Sequence, residues 1–203
     1  MAAYARARGG FYFRYSDDIL IVLPGDGRAG RGARSFAINR IGEHGSQLKI
    51  KLQKCSNISF RRHGEETISR FISGGKRTDG LEYLGFRFDG HRIYIRNSTI
   101  TNINRKIRRA VKSHAFQTAK RYPGKDFEFM FRKFDVNNFM QKFGRVDFDD
   151  GTPQTTFWSY TRRAVRRMGK RSLPMYRQLS GQKKMVEQWA RDELIRVRRK
   201  LYP

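Results

Sequence analysis

Residues 11–23 constrain the fold more than any other part of the sequence. The apolar pattern of residues 11–15 predicts a strand with three aromatic rings on one face, and the aliphatic run 19–23 predicts a second strand buried on both sides. Because only three polar residues, 16–18, separate these runs, the chain must reverse direction in a tight hairpin. The aromatic face of this hairpin comprises Phe11, Phe13 and Tyr15.

The remainder of the first half of the chain also shows mainly the alternating pattern that is typical of β-strands. Apolar residues alternate along 48–52 and again at 58–60, which predicts further strands. The Asp-Gly pair at 89–90 lies between two apolar runs and predicts another hairpin, because Gly accepts a positive φ. Between these strands we expect a flexible glycine-rich loop at 25–32 and one helix around 35–43.

From residue 101 onward the apolar residues recur with the period of a helix, and basic residues occupy the opposite sides. Residues 151–203 alone carry 14 basic and 3 acidic side chains, a net charge of +11. The sequence thus predicts a mostly β half followed by a basic helical half. The expected buried stripes are Ile103, Ile107 and Val111; Trp158, Thr161, Val165 and Met168; and Val186, Ala190, Leu194, Val197 and Leu201.

The charge of the chain narrows the classes of function. Lys and Arg number 44 against 18 Asp and Glu, a net charge of +26, which favours a polyanionic partner over a free-standing metabolic role. The 27 aromatic residues are too many for a disordered basic tail. A single cysteine, Cys55, excludes a disulfide framework and a cysteine-based zinc cluster. With no secretory signal and no apolar run long enough to span a membrane, we expect a cytoplasmic protein without membrane contact.

The adjacent carboxylates Asp17 and Asp18 are the residues that most clearly suggest chemistry. Two such groups at a hairpin tip repel each other unless a cation lies between them, and hard oxygen ligands suit Mg²⁺ or Mn²⁺. Nucleotidyl transfer uses carboxylates that hold two such ions about 3.5–4 Å apart. A plain surface turn is the alternative, but it gives no reason for the apolar strands on both sides.

The segment Tyr15-Ser16-Asp17-Asp18, with its apolar flanks, resembles the Tyr-x-Asp-Asp hairpin of reverse transcriptases, the third palm motif of that family. Residues 48–54 look like the next palm motif, a short strand that ends at a lysine, and residues 81–86 look like the primer-grip turn with its Leu-Gly-Phe. Residues 87–96 and 157–164 are similar to bacterial abortive-infection and defence-associated reverse transcriptases, which are related to retron and group II intron enzymes.

The resemblance implies an α+β fold. Residues 1–96 would be part of a right-hand polymerase palm, made of antiparallel strands with the Tyr-x-Asp-Asp hairpin, and residues 97–203 an all-helical basic thumb that binds nucleic acid. The implied activity is RNA-directed DNA polymerisation with two Mg²⁺ or Mn²⁺ ions, in antiviral defence. The implied partners are an RNA template, a DNA primer and product, and dNTPs, with a non-coding RNA as a further candidate.

The resemblance also assigns roles to single residues. Asp17 would be a direct metal ligand, Asp18 a weaker or outer one, and Lys54 a proton donor to the leaving pyrophosphate. Tyr15 and Ser16 would lie near the nucleotide or primer end. Phosphate contacts without sequence readout would come from two arginine rows. The remaining implied residues are Gly85 and Phe86 near the primer backbone, Arg105, Arg108 and Arg109 in one row, and Arg162, Arg163, Arg166 and Arg167 in the other.

The fingers and the first palm motif, with its own aspartate, precede the Tyr-x-Asp-Asp hairpin in this family. Only ten residues precede residue 11 here, so we expect that part to come from a missing segment or another chain. A permuted order is an alternative, because Asp135 has apolar and aromatic neighbours that superficially mimic the absent motif.

Two other functions stay open. One is a non-catalytic RNA- or DNA-binding module of reverse-transcriptase descent. The other is a ribosome-associated or other structural RNA-binding protein, which explains the charge but not the apolar flanks of the Asp17-Asp18 turn.

Overall fold

The computed structural model describes residues 1–45, 47–75, 77–143 and 157–202. The chain divides into two compact units, Met1–Ile93 and Tyr94–Pro203. Its mixed α+β character, with small antiparallel sheets and a helical second part, agrees with the sequence-based expectation. The strands are β1 Phe11–Tyr15, β2 Asp18–Val22, β3 Ser56–His63, β4 Glu66–Gly74, β5 Leu81–Tyr83, β6 Phe86–Phe88 and β7 Ile93–Ile95. The helices are α1 Ala2–Arg6, α2 Gly27–Gly42, α3 Asn97–Arg121, α4 Phe127–Phe134, α5 Val136–Phe143, α6 Phe157–Met168, α7 Pro174–Leu179 and α8 Gln182–Leu201.

Strands β1 and β2 form the predicted hairpin, in which Phe11 pairs with Val22 and Tyr15 with Asp18. Phe11, Phe13 and Tyr15 of β1 share one face, as expected, but that face is open to solvent, and Tyr12 lies on the opposite face. The expectation that β2 is buried on both sides is wrong, because its aliphatic residues are half-buried and Val22 is 44% exposed. The side chains of a two-stranded sheet are buried only where another element packs on that face of the sheet.

The glycine-rich residues 25–32 do not form the expected loop, because α2 begins at Gly27 and includes most of them. The Asp26 side chain caps the helix by accepting a 2.8 Å hydrogen bond from the backbone N–H of Arg28, and this bond lowers the pKa of the Asp26 carboxyl. Small residues on one side of α2 let β3 and β4 approach closely. They are Gly27, which lies close to Ile72 of β4, and Gly30, which lies close to Asn57 of β3; Ala33 and Ala37 of the same helix are also buried.

Replacing Gly30 by Ala tests this close packing. A Cβ at position 30 would lie 2.2 Å from Oδ1 of Asn57, whose Nδ2 donates a 3.1 Å hydrogen bond to the Gly27 carbonyl. Asn57 must therefore move and lose that bond, which outweighs the gain of about 1 kcal/mol in helix propensity. We expect Gly30→Ala to lower the free energy of unfolding by about 1–2 kcal/mol, measured by urea denaturation.

Gly42→Ala is the matched control at the end of the same helix. A Cβ there meets no atom within 4 Å, so we expect a gain of about 0.5 kcal/mol. Equal unfolding midpoints for the two variants would contradict the packing argument.

Strands β3 and β4 form a long antiparallel hairpin, from Ser56 opposite Gly74 to His63 opposite Glu66. The extended structure expected at 58–60 is confirmed. The strand expected at 48–52 is wrong: the residues before Leu52 have no regular structure, and Leu52–Lys54 form one 3₁₀ turn. No strand pairs with this segment among the described residues, and Leu52 is 56% exposed, so alternation alone did not produce a strand here.

The third sheet has the order β5-β6-β7. Leu84 and Gly85 both have positive φ, 48° and 83°, and form the two-residue turn between β5 and β6. The Asp-Gly turn predicted before β7 is confirmed: Gly90 has a φ of 106°, and Oδ1 of Asp89 accepts hydrogen bonds from the backbone N–H groups of His91 and Arg92. The ring of Phe60 packs against that of Phe88, with centroids 5.4 Å apart.

The second unit has a helical core in which α3 and α8 run parallel. The Gln182 amide bonds to Asn104 near the start of both helices, and the Tyr202 hydroxyl donates to the carbonyl of Ala119 near their ends. The expected stripes on these helices are confirmed, with Ile103 and Leu201 half-buried at the margin. The buried core comprises Ile107, Val111, Ala115, Ala119, Met130, Phe134, Phe139, Val186, Ala190, Leu194 and Val197.

Helix α6 carries the expected stripe from Trp158 to Met168; the sequence pattern predicts that this helix begins at residue 155, and residues 155 and 156 lie outside the described residues. Thr161 and Val165 are buried as expected and Trp158 is half-buried, but Met168 is 38% exposed, because the helix ends there. Gln178 of α7 bonds to both backbone groups of Ile95: Oε1 accepts from its N–H at 2.8 Å, and Nε2 donates to its carbonyl at 3.0 Å.

No helix in the part of the chain that the structure describes is both long enough and apolar enough to cross a lipid bilayer.

Candidate functional site

The tip of the β1–β2 hairpin holds the two candidate metal ligands. Ser16 and Asp17 form a two-residue loop, and Asp18 is already the first paired residue of β2. Ser16 has a φ of 49°, a left-handed conformation that a non-glycine residue adopts at some cost. The guanidinium Nε of Arg14 donates a 3.0 Å hydrogen bond to the Ser16 carbonyl and supports the loop. This turn therefore combines a strained backbone conformation at Ser16 with a supporting hydrogen bond from the Arg14 side chain.

The register places the Asp18 carboxylate on the aromatic face of the hairpin. Directly opposed residues in a sheet point to the same side, so Asp18 lies on the side of its partner Tyr15. Phe11, Phe13 and Tyr15 on this side are 64%, 49% and 66% exposed. Carboxylates next to uncovered aromatic rings form a surface that can bind a cation together with a stacked base or another apolar layer.

The donor set of this tip fits a hard divalent cation in chemistry but supplies only part of a coordination shell. Asp17 and Asp18 offer carboxylate oxygens, the ligands that Mg²⁺ and Mn²⁺ prefer. Among the described residues, no group of three or more His, Cys, Asp or Glu side chains lies close enough to hold a metal ion. A two-ion site would therefore need a further ligand from outside this hairpin.

Asp135, the candidate for a permuted motif, has another role in the structure. It ends α4 with a left-handed φ of 47°, and its Oδ1 accepts a 3.1 Å hydrogen bond from the backbone N–H of Asn138 at the start of α5. This carboxylate caps a helix, which accounts for an aspartate at this position.

The other residues predicted in the palm lie on separate elements of the first unit. Lys54 is exposed at the end of the 3₁₀ turn, not at the end of a strand as expected. Gly85 occupies the β5–β6 turn, where its positive φ favours glycine, and Phe86 is the first residue of β6. A site shared by these residues and the Asp17-Asp18 turn stays a prediction.

The two arginine rows lie on exposed faces of helices in the second unit. The row on α3 flanks the buried Ile107, and the guanidinium of Arg108 lies over the ring of Trp189 on α8, 5.7 Å from its centroid. The row on α6 flanks the buried Thr161 and Val165. Contact between these exposed positive charges and a phosphate backbone stays a prediction. The rows comprise Arg105, Arg108 and Arg109 on α3, and Arg162, Arg163, Arg166 and Arg167 on α6.

Sequence reasoning missed three arginines that the first unit brings together. Arg70 of β4, Arg77 of the following connection and Arg87 of β6 line one pocket of about 600 Å³. They are 7 and 10 residues apart and share no motif or period, so only the pairing of the strands could have found them.

Arg191 was also missed. Its guanidinium lies over Phe131 and Phe127 of α4, 4.1 Å and 5.9 Å from the two ring centroids. This basic residue thus packs on aromatic side chains of the helical unit, a role that its place in a charged helix did not indicate.

Comparison with known proteins adds no relative. No protein-family model matches the sequence, and a search of curated proteins finds no match.

Proposed function

We propose that this chain is the palm and thumb part of an RNA-directed DNA polymerase of the reverse transcriptase type. The hairpin tip would contribute Asp17 and Asp18 to the metal site, and the basic helices would bind the template and primer. The observation that carries the proposal is the geometry of the tip. A two-residue turn presents both carboxylates at its end, beside an open aromatic face.

The metal site of this proposal includes ligands from another segment or chain. When bound, Mg²⁺ or Mn²⁺ would activate a 3′-hydroxyl and neutralise phosphate charge. Asp17 and Asp18 would hold part of its coordination shell. The exposed aromatic side chains Phe11 and Phe13 offer the surface on which the missing part of the palm would pack.

Primer extension tests this function. The assay contains an RNA template, a DNA primer, dNTPs and Mg²⁺, and it compares the chain alone with the chain plus the segment encoded immediately upstream. We expect DNA synthesis only from the combination. No synthesis by the combination, with RNA still tightly bound, would contradict the polymerase proposal.

A non-catalytic nucleic-acid-binding module is the second candidate. It is favoured by the incomplete donor set within the described residues and by the exposed arginine rows on α3 and α6. In this function the Asp17-Asp18 turn would have no catalytic role, and substituting either carboxylate would not reduce affinity, because a negative charge is removed from an RNA-binding protein.

Both candidates predict that the α6 arginines contact phosphates. Replacing Arg162 and Arg166 by Gln removes two positive charges from the exposed face of α6. Each phosphate contact that is lost in this way reduces the number of counterions that the RNA releases on binding. We expect the slope of log affinity against log salt to become less negative by about 0.7 per contact, measured by fluorescence anisotropy with a single-stranded RNA.

Lys183→Gln with Lys184→Gln, exposed on α8, is the control with the same change in charge. An equal change of slope for both pairs would mean that RNA responds to net charge alone and does not select the α6 face.

A further inference from the structure

We infer that the pocket between β4, the β4–β5 connection and β6 binds a phosphate group. It is an open depression of about 600 Å³ in the first unit and is lined mainly by polar groups. This inference does not depend on the polymerase proposal, since none of the residues predicted for that activity lines the pocket. The lining residues used below are Ser69, Arg70, Arg77, Thr78, Asp79 and Arg87.

The backbone is closely packed at two glycines beside the pocket, Gly80 and Gly90, which fixes its shape there before a ligand arrives. A Cβ at Gly80 would lie 2.2 Å from the Phe88 carbonyl oxygen, which ties the β4–β5 connection to β6. A Cβ at Gly90 would lie 2.3 Å from the Thr67 carbonyl oxygen, which ties the turn after β6 to β4. Rigid elements of this kind hold charged side chains in place at little entropic cost on binding.

The guanidinium of Arg87 is fixed within this frame. It is half-buried, and its Nη1 donates a 2.6 Å hydrogen bond to the Asp79 carbonyl. The Thr78 hydroxyl donates to the Gly80 carbonyl at 2.8 Å and holds the same connection in shape. Arg87 is therefore a pre-oriented group, while Arg70 in the middle of β4 and Arg77 in the following connection are exposed residues that also line the pocket.

The charges of the pocket favour an anion. Three guanidinium groups face two carboxylates, those of Asp79 and Asp89, and Oδ1 of Asp89 already accepts hydrogen bonds from two backbone N–H groups. Neither Arg70 nor Arg77 forms an ion pair with any of the residues that the structure describes. An anion in the pocket would relieve the repulsion between these groups.

The arrangement suits phosphate better than carboxylate. The three arginines come from three segments and together offer many N–H donors, which suits a phosphate group with several acceptor oxygens. A planar carboxylate is served by one guanidinium fork. The phosphate could belong to a nucleic-acid backbone or to a free nucleotide, and the experiment separates these two sources.

The test uses the full chain with Arg70 and Arg77 both replaced by Gln. Both side chains are exposed, so the fold is expected to persist, which far-UV circular dichroism checks. The control is Arg31→Gln with Arg62→Gln, two exposed arginines of the same unit that do not line the pocket. A third protein, Arg70→Lys with Arg77→Lys, keeps the charge but removes the planar forks.

Two measurements are made on each protein: affinity for a short oligouridylate by fluorescence anisotropy, and the shift of Tm caused by inorganic phosphate and by ATP. For a backbone phosphate we expect the Gln pair to weaken RNA binding about tenfold more than the control, with no pocket-dependent shift of Tm. For a free phosphate we expect phosphate or ATP to raise the Tm of the unaltered chain and of the control, but not of the Gln pair.

In either case the Lys pair should bind its phosphate ligand, RNA or free phosphate, less tightly than the unaltered chain. A pre-organised phosphate site distinguishes a planar guanidinium from an ammonium group. If the Gln pair and the control behave alike in both measurements, the pocket binds no phosphate and the inference is wrong.

Discussion

Asp17→Asn is expected to reduce DNA synthesis by the complete proposed enzyme by at least about 100-fold, because the loss of one carboxylate ligand removes several kcal/mol of charge stabilisation from metal-assisted transfer. The substitution keeps the size of the side chain and lies in an exposed two-residue loop, so the hairpin should fold unchanged. Affinity for RNA should stay equal or increase, because one negative charge is removed. Primer extension and fluorescence anisotropy measure the two effects on the same preparation.

The matched control is Glu65→Gln, an exposed charge removal in the β3–β4 turn of the same unit. We expect it to leave synthesis within about twofold of the unaltered chain, since single exposed charges contribute little. If Asp17→Asn retains the activity of this control, the hairpin tip is not the metal site. Loss of synthesis together with loss of RNA binding would instead indicate a structural role for the turn.

Phe134→Ala should produce the largest loss of stability, about 3–5 kcal/mol, because it empties the centre of the helical core. Phe134 is 1% exposed, and its ring packs against His114 and Phe139, with centroids 4.7 Å and 5.3 Å away. Its carbonyl also accepts a 3.1 Å hydrogen bond from Nε2 of His114, a backbone contact that the substitution keeps. The loss therefore reports the packing of the ring itself.

Urea denaturation followed by far-UV circular dichroism measures this loss, and Phe116→Ala on α3 is the control. Phe116 is 46% exposed and leaves no cavity when truncated, so its effect should stay below about 1 kcal/mol. Similar effects of the two substitutions would mean that α4 does not pack into the α3–α8 core as the structure shows.

The sequence correctly predicted those elements whose structure follows from the local pattern of apolar and turn residues. The three-residue spacing between two apolar runs requires a hairpin, and the register confirms one that reverses at Ser16-Asp17. The apolar stripes on α3 and α8 predicted both helices and their buried sides, because these long helices bury one continuous face. Positive φ at Gly90 likewise follows from local turn chemistry.

The predictions that were wrong concern segments whose secondary structure depends on tertiary contacts. Glycines 27 and 30 indicated a loop, but they belong to a helix because β3 and β4 pack against it so closely that larger side chains would not fit. Alternation at 48–52 indicated a strand, yet no neighbouring strand pairs with it among the described residues. The candidate functional residues show the same difference between local sequence pattern and tertiary contact. The Asp17-Asp18 turn was visible in the sequence, whereas the Arg70, Arg77 and Arg87 pocket exists only after the strands pair.

The double hydrogen bond between Gln178 and Ile95 has a consequence for association between chains. An open strand edge is a template on which another molecule can add a strand of its own. At Ile95, the Gln178 amide donates to the carbonyl and accepts from the N–H, as the backbone of an incoming strand would. That position of β7 is thus already occupied by the protein's own side chain. The Gln178 side chain therefore leaves neither backbone group of Ile95 open to a strand from another molecule.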